Sequence, residues 1–484
     1  MSYLGIDIGS SQVKSAAFDE TGRPIASSYR KYSYSTPHPG WMELDAAEVI
    51  AKALQTIAEC AARVGNASPV TAIGISSQGE AFVPVDIRGD FLAPAMISGD
   101  SRAEEIFAAF TEDFGRRKLY DITGHTPSPM FSLGKLLWLL REHPEMRRKI
   151  HRILCFEDLL IFTLSGRAVI GWPLAARTMY FDVTKHDWSD EILDRAEVNR
   201  DWLADPLPSG SIAGRILPAR AAELGLAPDT ALVTGGHDQV IGAVGCGAVE
   251  PGSAMFAAGS VECMVPVLDR MVMSEELCRR NFCTYDFALS GRWATLAYSL
   301  TGSNMLEYFI REFGRECGGD YTALLDTMPE DPTGLLALPY LTPSGTPWFD
   351  TKTPGAIYGW RFHTSRGELL KGLWEGIAME MRLNMNMLRE SGVRVEHLIA
   401  TGGGFRHTGV VRLHADVLGV PITVCDVREA GCRGAASLAA LATEGAMLPA
   451  PEPVATICPD AEKNGQYDRK FRRWEEFASC MRNF

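Results

Sequence analysis

The chain runs to 484 residues, 46% hydrophobic and 22% charged, with a formal net charge of −13. That length predicts two or three domains, and the composition is that of an ordinary globular protein with sizeable cores. The acidic balance argues against a nucleic-acid binder, which presents a basic face, but leaves room for a local basic pocket.

No run of 18 or more apolar residues occurs, so no membrane-spanning helix is expected. Asp7 arrives before a signal-like apolar run can form. The eleven cysteines show no CxxC and the ten histidines no HxxxH or HExxH pair. Free thiols, no structural transition-metal site and a cytoplasmic setting are the expectation.

In chain order, Leu4, Ile6 and Ile8 mark a first strand and Val13 to Phe18 its return, joined by Gly9-Ser10-Ser11. Glycine lets a phosphate approach the turn amides, two hydroxyls can donate to phosphate oxygens, and Lys14 adds positive charge. Asp7 is a carboxylate inside an apolar strand, where burial without a partner is costly. A hydrated Mg²⁺ carried by a nucleotide would account for it. An ordinary hairpin with Asp7 at a strand end is the alternative.

A helix is expected over about 45–64 with Asp45 as N-cap. The strand Val70–Ser76 runs into Ser77-Gln78-Gly79-Glu80, helices dominate 101–165, and Ala231–Thr234 leads into Gly235-Gly236-His237-Asp238-Gln239. At Pro251-Gly252 the pattern restarts: Ser253–Ala258, the turn Gly259-Ser260, then a return strand, echoing Asp7–Ser10. A long helix is expected from Ser365 to Glu390, a strand at 397–400 empties into Thr401-Gly402-Gly403-Gly404, and Gly431–Leu441 reads as an Ala-rich helix. The expected division is an N-terminal domain over 1–247, a C-terminal domain over 248–445 and a helical tail over 446–484.

Ligands in open α/β sheets collect where strands end, and here several strands end in glycine turns. That suggests a nucleotide held in a cleft between two domains. Neither GxGxxG after a first strand nor a Walker A loop is present. Asp238 follows a strand and two glycines and is the candidate general base for a hydroxyl attacking a γ-phosphate. An N-cap role for Asp238 is compatible with that, and His237 reads as a packing residue.

These segments resemble, in consistent order over about residues 2–445, the FGGY family of carbohydrate kinases in the actin/hexokinase-like ATPase superfamily. Asp7-Ile-Gly-Ser-Ser-Gln-Val-Lys14 resembles the first phosphate motif, and Met130–Glu142 the family's first signature. Gly235-Gly-His-Asp238 resembles the segment bearing the catalytic base, Ala258-Gly259-Ser260 the second phosphate motif, and Thr401–Gly404 the adenosine motif.

The resemblance implies an α/β fold of two ribonuclease-H-like (actin-like ATPase) domains flanking a deep cleft and closing over ATP, Mg²⁺ and a sugar. It implies Asp238 as base and Asp7 as a metal partner through water. Gly9, Ser10, Ser11, Lys14, Gly259, Ser260, Gly302, Gly402, Gly403 and Gly404 would line ATP. Gln78, Gly79, Glu80, Asp100, Asp238 and Gln239 would face the acceptor. A homodimer is common in such families.

Departures concentrate at the acceptor. Xylulokinases usually carry Met-His, and glycerol kinases Arg-Glu, where this chain has Gly79-Glu80, so the Glu stays and the Arg does not. Met130 replaces the tyrosine that contacts glycerol, while Asp238-Gln239 resembles glycerol kinases. The implied activity is ATP-dependent phosphorylation of a primary hydroxyl on a ketose (a xylulose-like pentulose) or a polyol. Alternatives are a glycerol/erythritol-type polyol kinase and a non-catalytic sugar- or ATP-binding protein. The carboxylates in the acceptor set are expected to disfavour a sugar acid.

Overall fold

The computed structural model describes residues 1–314, 321–350 and 352–483. The chain divides into two compact units, one made of Met1–Gly247, Cys283–Ala294 and Glu429–Pro451 and the other of the remaining segments. Among the described residues no helix is long and apolar enough to cross a membrane. The ten described cysteines are free thiols, and Cys317 lies outside the described residues.

The first unit is built on a six-stranded sheet in the order Ile212–Arg215, Ala231–His237, Val70–Ser77, Ser2–Ile8, Gln12–Asp19, Pro24–Lys31. The Ala231–His237, Val70–Ser77 and Ser2–Ile8 strands are parallel neighbours, and the outer pairings are antiparallel. Parallel strands buried on both faces read as continuous apolar runs, as Ile73-Gly-Ile75 and Leu232-Val233 do.

In the second unit six strands of one sheet follow the order Ala297–Ser299, Glu262–Leu268, Ser253–Ala258, His397–Thr401, Ile422–Cys425, Pro453–Ile457. Their pairings run antiparallel, antiparallel, parallel, parallel, antiparallel. From the Pro24–Lys31 edge the first sheet gives the same series. The echo between the two Gly-Ser turns thus extends to six strands on each side.

Local signals set the helix starts. Asp45 caps Ala46–Val64, accepting from the amides of Ala47 at 2.9 Å and Glu48 at 3.3 Å. Ser365 and Glu368 form a reciprocal capping box ahead of Arg366–Glu390.

The helix Ala430–Glu444, expected in a domain spanning 248–445, packs within the first unit. It lies against the strands Ser2–Ile8 and Val70–Ser77 and the helix Asp238–Cys246. The approach is backbone to backbone. A Cβ on Gly5 would overlap the carbonyl of Cys432, and one on Gly74 that of Ala435. On the neighbouring helix, a Cβ on Gly245 would overlap the carbonyl of Ala430. Small residues therefore set the spacing, and Ala436, Ala439 and Ala440 fill the interface with Tyr3, Phe18 and Val233.

Gly74→Ala is expected to lower the unfolding midpoint in urea by the equivalent of ~1–3 kcal/mol or more, because overpacking a tight core strains it. Gly465→Ala, in the helix Ala461–Arg482 with open space around it, is expected to be neutral or stabilising by up to ~1 kcal/mol. Equal effects of the two substitutions would contradict the packing account.

Candidate active site

The three parallel strands of the first unit end level with one another, with Ile8 beside Ser77 and Ser77 beside His237. This register brings together Gly9–Ser11, Gln78–Glu80 and Asp238–Gln239, segments far apart in sequence. The amide of Gln78 donates to Ile8 O at 2.8 Å and its Nε2 to Gly9 O at 3.2 Å, so the two turns are tied together. The Tyr32 hydroxyl also donates to Gly9 O, at 2.5 Å.

Asp7 accepts from Ser76 Oγ at 2.9 Å. Burial raises its pKa, while the Ser76 bond and Lys14 pull it back down. Lys14 stands opposite Asp7 across the hairpin and pairs with Glu429 at 2.7 Å. Gly431 faces the carboxylate so closely that a Cβ there would lie 2.6 Å from Asp7 Cγ.

Glu80 is buried at a φ of 68°, a left-handed conformation uncommon outside glycine. Its Oε1 accepts from Arg177 Nε at 2.6 Å and pairs with Nη2, and its Oε2 accepts from Ser98 Oγ at 2.5 Å. Its carbonyl accepts from Ser132 Oγ at 3.0 Å and Lys135 Nζ at 3.3 Å. Lys135 is fully buried, and desolvation lowers its pKa to about 8 despite nearby Glu80 and Asp100. Arg177 lies over the Phe131 ring at 4.8 Å.

Asp100 is committed to its own neighbourhood. Its carboxylate accepts from the Met42 amide at 2.7 Å and from Arg102 Nη2 at 2.6 Å. Arg102 also pairs with Glu43 at 2.8 Å and stacks on Trp41 at 3.7 Å. Asp100 is thus a bracket for a buried arginine. Glu80 and Asp100 are each paired with an arginine, which weakens the basis for expecting this unit to repel a sugar acid.

Asp238 opens the helix Asp238–Cys246, and His237, not Asp238, occupies the N-cap position. Its side chain keeps 29% exposure. Desolvation, with Asp7 and Glu80 adding repulsion, raises its pKa to about 7, against the lowering pull of Gln239 and Arg177. His237 Nδ1 lies 3.0 Å from the Tyr285 hydroxyl and Nε2 lies 3.3 Å from Asp238 Oδ1. Burial and Arg177 hold the His237 pKa well below its usual value, so the ring is neutral. A neutral ring that accepts from Tyr285 at Nδ1 donates from Nε2 toward Asp238. The Gln239 Oε1 is buried without a partner among the described residues.

The strand that delivers Asp238 carries a register shift between Thr234 and Gly236, and Gly236 adopts a φ of 137°. Glu157 braces it, accepting from the Gly235 amide at 2.8 Å and the Gly171 amide at 3.2 Å. Burial raises the Glu157 pKa to about 8. Arg177, Tyr285 and Glu157 were not singled out in the sequence. Of these, only Glu157 left a trace there, as an acid in the apolar run Cys155–Ile161.

In the second unit the parallel strands Ser253–Ala258 and His397–Thr401 also end together. Their glycine turns interlock. Gly402 has a φ of 91°, and a Cβ there would lie 2.5 Å from the Ala258 carbonyl. A Cβ on Gly404 would lie 2.8 Å from Ser303 Oγ. The amide of Ser303 donates to Gly259 O at 2.9 Å. Beside these turns is a cavity of about 1250 Å³, lined by Gly259, Ser260, Ser303, Gly403 and Gly404 together with the cations Lys371, Arg406, Arg412 and Lys463 and the acids Glu307, Asp326, Glu330 and Asp416. Gly302 and Gly402 stand behind this lining, where they permit the close approach. Ser303 Oγ is buried without a partner among the described residues. Glycine turns, free hydroxyls and basic side chains around a cavity of this size suit a phosphorylated ligand. Among the described residues no three His, Cys, Asp or Glu side chains converge to hold a metal. Any metal here would therefore be one that keeps most of its waters and rides on ligand phosphates.

Residues 2–245 match the N-terminal domain, and residues 285–443 the C-terminal domain, of the FGGY family of carbohydrate kinases. The chain is 28% identical over 483 residues to the xylulose kinase of Escherichia coli K12, covering 97% of this chain and 98% of that protein. It is 27% identical to the L-xylulose/3-keto-L-gulonate kinase of the same organism, covering 100% and 97%. The crystal structure of a xyloylose kinase from Brucella ovis superimposes with a TM-score of 0.92 at 27% identity over the full length of both chains. The chain belongs to the FGGY family of carbohydrate kinases, a family of ATP-dependent sugar kinases.

Proposed function

We propose that this kinase transfers the γ-phosphoryl group of ATP to a primary hydroxyl of a xylulose-like ketose, with Asp238 as general base. The observation that carries the reading is Asp238 itself. It is a helix-opening carboxylate, fixed by a braced strand bulge, with its pKa raised to about 7 by burial and by Asp7 and Glu80. A base poised near the working pH is ionised often enough to act and basic enough to take a hydroxyl proton.

The acceptor O–H bond breaks toward an Asp238 carboxylate oxygen as the oxygen forms its bond to the γ-phosphorus. The bond between that phosphorus and the β,γ-bridging oxygen breaks, and ADP leaves. The nucleotide is assigned to the cavity of the second unit. There Gly259, Ser260, Gly403 and Gly404 offer close backbone approach, and the basic side chains offset phosphate charge. Gly9, Ser10, Ser11 and Lys14 are assigned to the phosphate end. Asp7 fits a role toward Mg²⁺ through water, since among the described residues no three metal-ligating side chains converge around it. When bound, Mg²⁺ would neutralise phosphate charge during transfer. Gln78, Gly79, Glu80, Asp238 and Gln239 are assigned to the acceptor, with Asp100 acting through Arg102.

A sugar-acid acceptor is a second reading. It is favoured by the arginine pairing of Glu80 and Asp100 and by the relative named for 3-keto-L-gulonate. A coupled ADP-release assay with xylulose, 3-keto-L-gulonate, gluconate, glycerol and erythritol decides among these acceptors. Turnover of none of them, despite measurable ATP binding, would instead favour a non-catalytic binding protein.

Asp238→Asn is expected to lower kcat by ~10²–10⁴-fold while leaving nucleotide affinity unchanged. Turnover that survives the substitution would remove Asp238 from the mechanism. Because the base must be ionised, kcat/KM is expected to rise with pH through about 7 and to fall away below it. A flat profile across neutral pH would contradict the assignment. Gly404→Val would push a side chain against Ser303 and Ala258, and is expected to raise the KM for ATP ~10-fold or more, about 1.4 kcal/mol, with the acceptor KM little changed.

A further inference from the structure

We infer that Arg177 is a specificity-determining residue for the acceptor, fixing Glu80 and donating beside it so that the pair reads two neighbouring hydroxyls of the acceptor. The inference rests on the kinase reading above and extends it to a residue outside every motif considered so far.

The pair is built from elements distant in sequence. Glu80 follows the strand Val70–Ser77, and Arg177 lies in a short 3-10 turn at Ala176–Thr178. Both side chains are more than nine-tenths buried, at 4% and 8% exposure. In such a place either charge without the other would be uncompensated. Glu80 is also held in a backbone conformation that a non-glycine residue enters only under constraint. Ser132 and Lys135 supply that constraint at its carbonyl, Arg177 and Ser98 at its carboxylate.

What this leaves open has a definite chemistry. Arg177 spends Nε and Nη2 on Oε1, and Ser98 occupies one position on Oε2. A carboxylate has about four lone-pair positions, so Oε2 can still accept from a hydroxyl. Arg177 Nη1 has no hydrogen bond among the described residues and can donate to a hydroxyl. An acceptor beside a donor, held rigidly, suits two hydroxyls on adjacent carbons, one donating to Glu80 and the next accepting from Arg177. The pair also adjoins the base. A Cβ on Gly79 would lie 3.3 Å from Arg177 Cγ and 3.1 Å from His237 Cδ2, so glycine lets Arg177 and His237 close on the same point. His237 in turn contacts Asp238. The hydroxyls read are therefore near the one that is phosphorylated. The class of acceptor is a polyhydroxy compound with a vicinal diol close to its reacting hydroxyl.

The test is steady-state kinetics on xylulose and its 3-deoxy and 4-deoxy analogues, for wild type, Arg177→Lys and Arg177→Met, with thermal melts to establish folding. Sites that hydrogen-bond a substrate hydroxyl reject the analogue lacking it strongly, and wild type is expected to discriminate against at least one analogue by roughly 10²-fold or more in kcat/KM. In Arg177→Met that ratio is expected to collapse to within several-fold, with the KM for ATP unchanged. In Arg177→Lys, which keeps the charge and loses the fork, it is expected to be intermediate. If Arg177→Met does not fold, the lysine variant carries the same comparison. A ratio unchanged in the folded variants, even at lower overall rates, would make Arg177 a structural brace and overturn the inference. Wild-type enzyme that leaves xylulose untouched would overturn the xylulose-like acceptor reading beneath it, and that outcome is visible before any variant is made.

Discussion

The close seating of the helix Ala430–Glu444 is the constraint on which the first unit depends. Gly5 and Gly74 on the sheet, and Gly434 and Gly245 where two helices meet, let main chain touch main chain. At such contacts the first added carbon overlaps a carbonyl, so the arrangement has little freedom to drift. The consequence reaches the site directly. The start of this helix lays Gly431 against Asp7, and Glu429, just before it, pairs with Lys14. The helix packed against it, Asp238–Cys246, begins with the proposed base.

On that frame several of the charges are arranged as pairs. Glu80 meets Arg177, Asp100 meets Arg102, Lys14 meets Glu429, and in the second unit Glu262 meets His414. Breaking such a pair by removing one partner costs about 3–5 kcal/mol, because the remaining charge has no water to retreat to. Asp238 has no cationic partner in direct contact among the described residues. Its neighbours are a neutral histidine and two other carboxylates at longer range. The elevated pKa follows from burial and then from that isolation, and perturbed groups of this kind mark functional sites.

The strands were legible because buried parallel strands write themselves as apolar runs, and the turns because glycine is needed where backbones approach. Gly402, with its left-handed φ, is a position whose role the sequence displays openly. The cap at Asp45 and the box at Ser365 and Glu368 were equally local signals. What sequence reading missed depends on tertiary pairing. Arg177 finds Glu80 across 97 positions and Glu157 finds Gly235 across 78, with no spacing rule to announce either. Asp100 illustrates the converse. Its pattern with Arg102 pointed to the acceptor, yet the carboxylate is consumed in holding that arginine between rings. The Ala-rich character of 431–441 signalled tight packing but not the surface against which it packs.

Phosphoryl transfer to a primary hydroxyl can be read by phosphorus NMR of wild-type enzyme with ATP, Mg²⁺ and xylulose. The account predicts a new phosphomonoester resonance coupled to methylene protons, growing in step with ADP. Growth of ADP with inorganic phosphate alone, or a phosphomonoester coupled to a single methine proton, would contradict it.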